Sequence, residues 1–428
     1  MLYKNNEMVH YETIFGLETT QLKFGRGSLR ELGWELNKYE LSKILLVVDP
    51  ILHGFNVTQK IFDQIKSSRT EVITYENISV EPTLKSFEVA AQFAQENSFE
   101  LIIAVGGGST IDTAKIINLI KVCGGDVMDY VNSPIGEGKK PTSTLLPLIA
   151  IPTTSGSGSE ATTVAVLDIP ELKLKTGISH RFLRPTLALV DPELSKTTPS
   201  GVTASSGFDV ICHAIESFIS KPYYQREKPN TPNDRPPYQG SNPVSDIWSM
   251  KAIDLGGKFL SRAVLNGEDV EARGNMMLSA TLAGIGFGTA GVHIPHACSY
   301  PIAGLKHTYQ ASGYKKKFIP HGISVIVTAP AVFRFTYDVD PEKHIKAAKL
   351  LKGSNIDNPG PESLPYELIK LMREVGMPSG IGELGYEKKD ISEIVVRAMK
   401  QQRLLSIAPK IVNENDLNQI LIQSIENW

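Results

Sequence analysis

Cysteine is scarce in this chain: Cys123, Cys212 and Cys298 are the only three in 428 residues. They stand far apart and form no CxxC pair, which argues against a disulfide scaffold. A reducing compartment is the natural expectation. Charge of one sign is lacking as well. Lys and Arg total 44 against 46 Asp and Glu, for a formal net charge of −2. With no basic stripe, nucleic acid is demoted as a partner. No apolar run reaches the ~18 residues of a membrane-spanning helix. Met1 to Thr20 holds Glu7, Glu12 and Glu18 and has no apolar core, so no secretory or transit signal is read there. The expected location is the cytoplasm, or the mitochondrial matrix for a mature eukaryotic form. The expected partner is a small molecule rather than nucleic acid or membrane, and a homo-oligomer is left open.

What is there suits two domains. The chain is 41% hydrophobic and 21% charged, enough to bury large cores and stay soluble. Short β-branched runs at Lys43–Asp49, Glu71–Tyr75, Leu101–Val105, Leu148–Pro152 and Leu187–Asp191 read as buried strands. Helical patterning separates them over Thr58–Ile65 and Thr83–Glu96. This β-α-β alternation predicts an α/β dinucleotide-binding domain with a variant Rossmann-like parallel sheet, over residues 1–198. Beyond it, residues 199–428 read as an all-α metal-binding and substrate domain. Its helices are expected over Thr203–Ser220, Pro243–Val264, Val270–Gly284, His321–Phe335, Pro341–Leu351, Tyr366–Val375, Asp390–Gln402 and Asn415–Glu426.

Two stretches in the first half carry chemistry. The strand at Leu101 runs into Gly106-Gly107-Gly108-Ser109, and a helix with Asp112 follows. Glycines let a backbone approach a pyrophosphate, and a helix N-terminus offers free N–H groups and a positive dipole end. An ordinary tight turn has the same composition, and the usual fingerprint follows the first strand rather than a later one. The second stretch, Thr153-Thr154-Ser155-Gly156-Ser157, leaves the end of a buried strand, where ligands bind in open α/β sheets. Lys175 follows. Asp49 ends the first strand; there it either caps its turn or holds ribose hydroxyls and repels a 2′-phosphate, favouring NAD over NADP.

In the second half, Asp209 and His213 are four apart on a predicted helix, hence on one face and one turn apart. His293, His296 and His321 follow. A carboxylate with imidazoles suits a borderline divalent ion, Fe(II) or Zn(II). Spacing alone does not choose between His293 and His296. Between two helices lies Lys221–Gly240, with five prolines. It is either a surface loop or a lid carrying Arg226, Arg235 and Tyr238 toward a substrate carboxylate.

As a set, Gly106–Lys115, Pro152–Thr162, Asp191-Pro192-Glu193-Leu194, the Asp209/His213 pair and the late histidines resemble the iron-containing (group III) alcohol dehydrogenase family. The resemblance covers nearly the whole chain. It implies NAD and a metal, Fe(II) first and Zn(II) second, held by Asp209, His213, His296 and His321. His293 is then a cleft residue. Two features depart from the usual pattern. Tyr300 stands where the family usually has a further histidine, and the gap from His296 to His321 is long. With Arg235–Pro243 and Ala283–Gly288, they are similar to the hydroxyacid–oxoacid transhydrogenase branch. That branch oxidises 4-hydroxybutyrate and reduces 2-oxoglutarate on a retained nicotinamide. Tyr300 or His293 is then the expected proton relay, and Arg235 with Tyr238 the expected carboxylate site, with Arg226 and Lys306 as weaker candidates. The competing expectation is an ordinary NAD-linked alcohol dehydrogenase acting on small alcohols. A lyase resembling dehydroquinate synthase would need a basic phosphate pocket beside the metal, and no clear one is read.

Overall fold

The computed structural model describes residues 3–4, 7–8, 10–65, 70–172 and 174–428. The first half is built on strands β1 (Gln21–Phe24), β2 (Lys43–Val48), β3 (Glu71–Tyr75), β4 (Leu101–Gly106), β5 (Leu148–Pro152), β6 (Val164–Ile169), β7 (Leu174–Ser179) and β8 (Leu187–Val190). Helices α1 (Val57–Ile65), α2 (Leu84–Glu96) and α3 (Gly108–Cys123) lie between them. Among the described residues the main sheet has six strands in the order β1-β8-β5-β4-β2-β3, all parallel. β2, β4 and β5 are Val/Ile/Leu/Ala runs buried almost throughout, as a sheet covered on both faces requires. β6 and β7 form a separate antiparallel hairpin.

The topology positions the nucleotide end. From β2 the chain moves outward to β3, returns on the other side of β2 as β4, and goes on to β5. The order therefore reverses between β2 and β4, and the crevice at their carboxyl ends is where such sheets take ligands. Register sets the row of residues there. Val48 pairs with Val105, and Gly106 with Pro152. Asp49 N–H donates to the Val105 carbonyl at 3.2 Å, and Thr153 N–H to that of Gly106 at 3.0 Å. Asp49, Gly106 and Thr153 thus line one edge.

The second half is helical: α4 (Ser200–Ile219), α5 (Pro243–Leu265), α6 (Val270–Ala290), α7 (Ile294–Leu305), α8 (His321–Ile326) and further helices to Gln423. The last strand of the sheet ends at Val190 and α4 begins at Ser200, on either side of the boundary expected after residue 198. From Gly207 to Ile219 every residue of α4 is buried, as expected of a central helix that is largely apolar all round. One expected helix, His321–Phe335, is two: α8 and Ala329–Thr336. Pro330 explains the break, because its ring crowds the carbonyl four residues back, at Ile326. Helix α7 was not expected from the sequence; Pro295 and Pro301 both lie in it. Pro295 sits in the first turn, where a missing N–H costs nothing.

Among the described residues no single helix is long and apolar enough to cross a membrane.

Candidate metal centre and nucleotide cleft

Asp209 and His213 lie one turn apart on α4, His296 is in the first turn of α7, and His321 opens α8. The Nε2 atoms of His213, His296 and His321 stand 3.7, 3.5 and 3.7 Å from Asp209 Oδ1. All four ligand atoms fall within 4.8 Å of one another. A tetrahedron with bonds of about 2.1 Å has edges of about 3.4 Å, so the four atoms surround a space of metal-ion size. Asp209 Oδ1 and His296 Nε2 are buried and have no hydrogen-bond partner in the protein. Polar atoms left so are costly unless something completes them. The donor set, the spacing and these two unpartnered atoms fit a divalent cation.

The local structure explains how four distant residues meet. Gly322 is a point of close approach: a Cβ there would lie 1.9 Å from the Ser205 carbonyl oxygen and 3.2 Å from Asp209 Cβ. Only a residue without a side chain lets α8 lie on α4, and that contact delivers His321. His213 is held between the rings of Phe287, at 4.0 Å and 11°, and His296, at 4.6 Å and 23°.

Glu216, fully buried, ties α7 to α4. One carboxylate oxygen accepts the His293 backbone N–H at 2.6 Å, and the other lies 2.6 Å from His296 Nδ1. This is the carboxylate–histidine support that aims a metal-binding imidazole. Sequence reading missed Glu216, although it continues the Asp209/His213 face at i+7. The electrostatics agree. Burial would lower the His296 imidazole, but Glu216 and Asp209 raise it to about 9. Burial would raise the Asp209 carboxyl, yet His213, His321 and His296 hold it well below its ordinary value. Burial takes His213 down to about 3, so it is neutral and able to donate a lone pair.

The two candidate relay residues sit differently. His293 is fully buried, its Nδ1 3.9 Å from Glu216 Oε2 and its ring edge-on to Phe333. Burial lowers it to about 4. The Tyr300 ring lies 6.0 Å from that of His321, on the metal side of α7. Burial pushes its phenol up to about 12, so it stays protonated and acts as a donor at neutral pH.

At the crevice, Gly107 caps α3 and Gly108 begins it. A Cβ on Gly108 would meet Ser157 Oγ at 2.6 Å, and one on Gly107 would meet Thr154 Oγ1 at 3.3 Å. The two stretches singled out in the sequence therefore pack on each other; Thr110 and Ile111 N–H donate to the Gly107 carbonyl at 3.1 and 3.2 Å, which leaves the Gly108 and Ser109 amides to face an anion. Ser109 Oγ accepts the Glu81 N–H at 3.3 Å. Asp112 turns inward: its carboxylate takes the Ser159 hydroxyl at 2.5 Å and the Val166 N–H at 3.0 Å. It braces the crevice from behind. Lys175 is buried and paired with Glu81, which also receives the His321 backbone N–H. That pair joins the nucleotide side to the metal side, and Glu81 is a second residue missed from sequence.

Arg235 is placed otherwise than expected. Its Nε donates to the buried Glu12 at 3.1 Å. Arg226 donates to the Gln239 carbonyl at 2.9 Å, and Lys306 pairs with Asp390 at 2.7 Å. Tyr238, from the same proline-rich segment, is buried under the guanidinium of Arg403, 4.6 Å from its ring centre.

Comparison with known proteins agrees with this geometry. Residues 19–192 match the family described as iron-containing alcohol dehydrogenase, and residues 238–425 match the C-terminal region of the Fe-containing alcohol dehydrogenase family. The mitochondrial hydroxyacid-oxoacid transhydrogenase of Bos taurus is 42% identical over 419 residues, 96% of this chain and 90% of that protein. The chain belongs to the iron-containing alcohol dehydrogenase family. Within it, the chain falls in the hydroxyacid–oxoacid transhydrogenase branch, and it is an oxidoreductase. Among solved structures, a 1,3-propanediol oxidoreductase superposes with a TM-score of 0.82 at 26% identity, covering 96% of this chain and 100% of the other. Sulfoacetaldehyde reductase from Bifidobacterium kashiwanohense, solved with NAD+, gives 0.79 at 25% identity over 97% and 99%.

Proposed function

We infer that the protein transfers hydride from a hydroxy acid to an oxo acid through NAD held in the β2–β4 crevice, beside a divalent metal on Asp209, His213, His296 and His321. The observation that carries this reading is the quartet of ligand atoms from Asp209, His213, His296 and His321, all within 4.8 Å of one another. The 42% identity to a transhydrogenase over nearly the full chain supports the choice of reaction. When bound, the metal supplies Lewis acidity to a substrate oxygen, and NAD supplies the carbon that takes and returns the hydride.

The chain's own residues do the rest. Glu216 and the Phe287 stack fix two imidazoles, so the ligand lone pairs are aimed before substrate arrives. The glycine turn, with the Gly108 and Ser109 amides at the start of α3, receives the pyrophosphate. Asp49 spends one carboxylate oxygen on the Ile51 N–H at 3.1 Å, leaving the other for a ribose hydroxyl. Thr153, Thr154 and Ser157 line the nicotinamide side. The reaction balances without net cofactor: 4-hydroxybutyrate loses a hydride and a proton to become succinate semialdehyde, and 2-oxoglutarate gains both. Reducing surroundings, cytoplasm or mitochondrial matrix, suit the three free cysteines.

The test is turnover of 4-hydroxybutyrate plus 2-oxoglutarate by purified protein with no added nucleotide. We expect 2-hydroxyglutarate and succinate semialdehyde in equal amounts. Production of free NADH, only with added NAD and with no 2-oxoglutarate requirement, would instead make it an ordinary alcohol dehydrogenase.

A second expectation concerns Asp49. Asp49→Ser removes the charge that repels a 2′-phosphate. The kcat/KM preference for NAD over NADP in alcohol oxidation should narrow by about tenfold or more, equivalent to ~1.4 kcal/mol. An unchanged ratio would leave Asp49 as a turn cap alone.

A further inference from the structure

A hydroxy acid whose hydroxyl sits at the metal must put its carboxylate somewhere, and the obvious cations are taken. Arg235, Arg226 and Lys306 each have a partner. Lys343 is bound to Asp246, Ser241 and the Phe218 carbonyl. Lys175 is paired with Glu81. Arg403 differs. Its Nη1 is buried with no hydrogen-bond partner, and among the described residues no acidic side chain forms an ion pair with it. Its contacts are aromatic: it stacks on Tyr238 and interacts with the phenols of Tyr238 and Tyr300. A buried guanidinium nitrogen facing no anion is expensive, and a bound carboxylate removes the cost.

Arg403 is also in the right place. Tyr300 follows His296 by four residues on α7, about 6 Å along the helix axis, and its ring faces His321. The guanidinium meets the phenol of Tyr300, and Tyr300 stands one helical turn from the ligand His296. A four-carbon chain bridges a gap of that order. Arg403 also borders a shallow surface depression with Asn132, Ser133, Thr176 and Gly177. Gln401, two residues before, donates to the Lys175 carbonyl at 3.3 Å and anchors the segment to β7.

We propose that Arg403, braced by Tyr238 and Tyr300, binds the remote carboxylate of the substrate and makes the site select hydroxy acids over simple alcohols. The proposal rests on the hydroxy-acid reading above, and its test separates the two. Arg403→Gln and Arg403→Lys would be compared with the wild-type chain, all loaded with metal and NAD. The substrates are 4-hydroxybutyrate and 1-butanol, and unreactive butyrate is the probe for calorimetric binding. For Arg403→Gln, kcat/KM on 4-hydroxybutyrate should fall about 10- to 100-fold, chiefly through KM, as loss of a charge-assisted pair implies. Turnover of 1-butanol should stay within about twofold, and heat from butyrate binding should vanish. Arg403→Lys, which keeps the charge but not the fork, should recover part of the loss. Equal losses on acid and alcohol, or butyrate binding unchanged in Arg403→Gln, would overturn the proposal. If the wild type fails the nucleotide-free assay yet binds butyrate through Arg403, the transhydrogenase reading falls and this assignment stands.

Discussion

Asp209→Ala should strip the metal and lower kcat/KM by about three orders of magnitude, while the protein stays folded. The activity loss follows from the several kcal/mol of charge stabilisation that a Lewis acid supplies, at 1.36 kcal/mol per decade. The fold should survive because Asp209 Oδ1 makes no hydrogen bond within the protein, so its removal breaks no internal network. Asp209 also supplies the one carboxylate of the set, with all three Nε2 atoms 3.5–3.7 Å from its Oδ1. Two readouts check the claim. Elemental analysis should find Fe or Zn near one equivalent in the wild type and little in the variant. Added Fe(II) or Zn(II) should raise the Tm of stripped wild type, because only the folded state binds, and leave the variant's Tm where it was. Full occupancy in the variant would remove Asp209 from the ligand set.

How much of this could be read from the sequence depended on whether local pattern and tertiary role coincided. β3 and β5 have the bounds that their apolar runs define, and β2 and β4 differ by one residue. β1 was not read: Gln21-Leu22-Lys23-Phe24 sits at the sheet edge, largely exposed, and carries no apolar run. The β6–β7 hairpin was also missed, though Lys175 within it was singled out. Helix α7 was hidden by its prolines, and what holds it is the long-range pair of bonds from Glu216, which no local window contains.

The site divides along the same line. The residues brought together at the metal centre were legible because their chemistry is rare and their i, i+4 spacing local. The choice between His293 and His296 was not legible from spacing, because it turns on which imidazole Glu216 pulls forward. The carboxylate partner proposed above was least legible of all. Arg235 lies in the proline-rich insertion, read as either a surface loop or a lid, and Glu12, over 200 residues earlier in the chain, neutralises it. Arg403 lies near the C-terminus, in a short helix with no motif around it. Its significance comes only from what its guanidinium lacks in three dimensions.

Glu216→Gln should cost about 10- to 100-fold in metal affinity, although Gln has nearly the same shape. The carboxylate accepts two hydrogen bonds at once, from the His293 N–H and from His296 Nδ1–H. That second bond keeps the proton on Nδ1 and leaves Nε2 with the lone pair a metal needs. An amide offers one acceptor and one donor. If its oxygen faces His296, its NH2 meets the His293 N–H, donor against donor in a buried site, and α7 must shift. If it turns the other way, NH2 meets Nδ1, the proton moves to Nε2, and the ligand is lost. Either outcome weakens the centre, as an amide in place of an orienting carboxylate does in a catalytic triad. Removing the buried charge also withdraws the main influence holding His296 up near 9, so its imidazole should titrate lower in the metal-free variant. Competition with a chelator measures the affinity, and nitrogen NMR of His296 in metal-free protein reads its tautomer and pKa. Unchanged affinity with the proton still on Nδ1 would mean that packing of α7, rather than Glu216, aims this ligand.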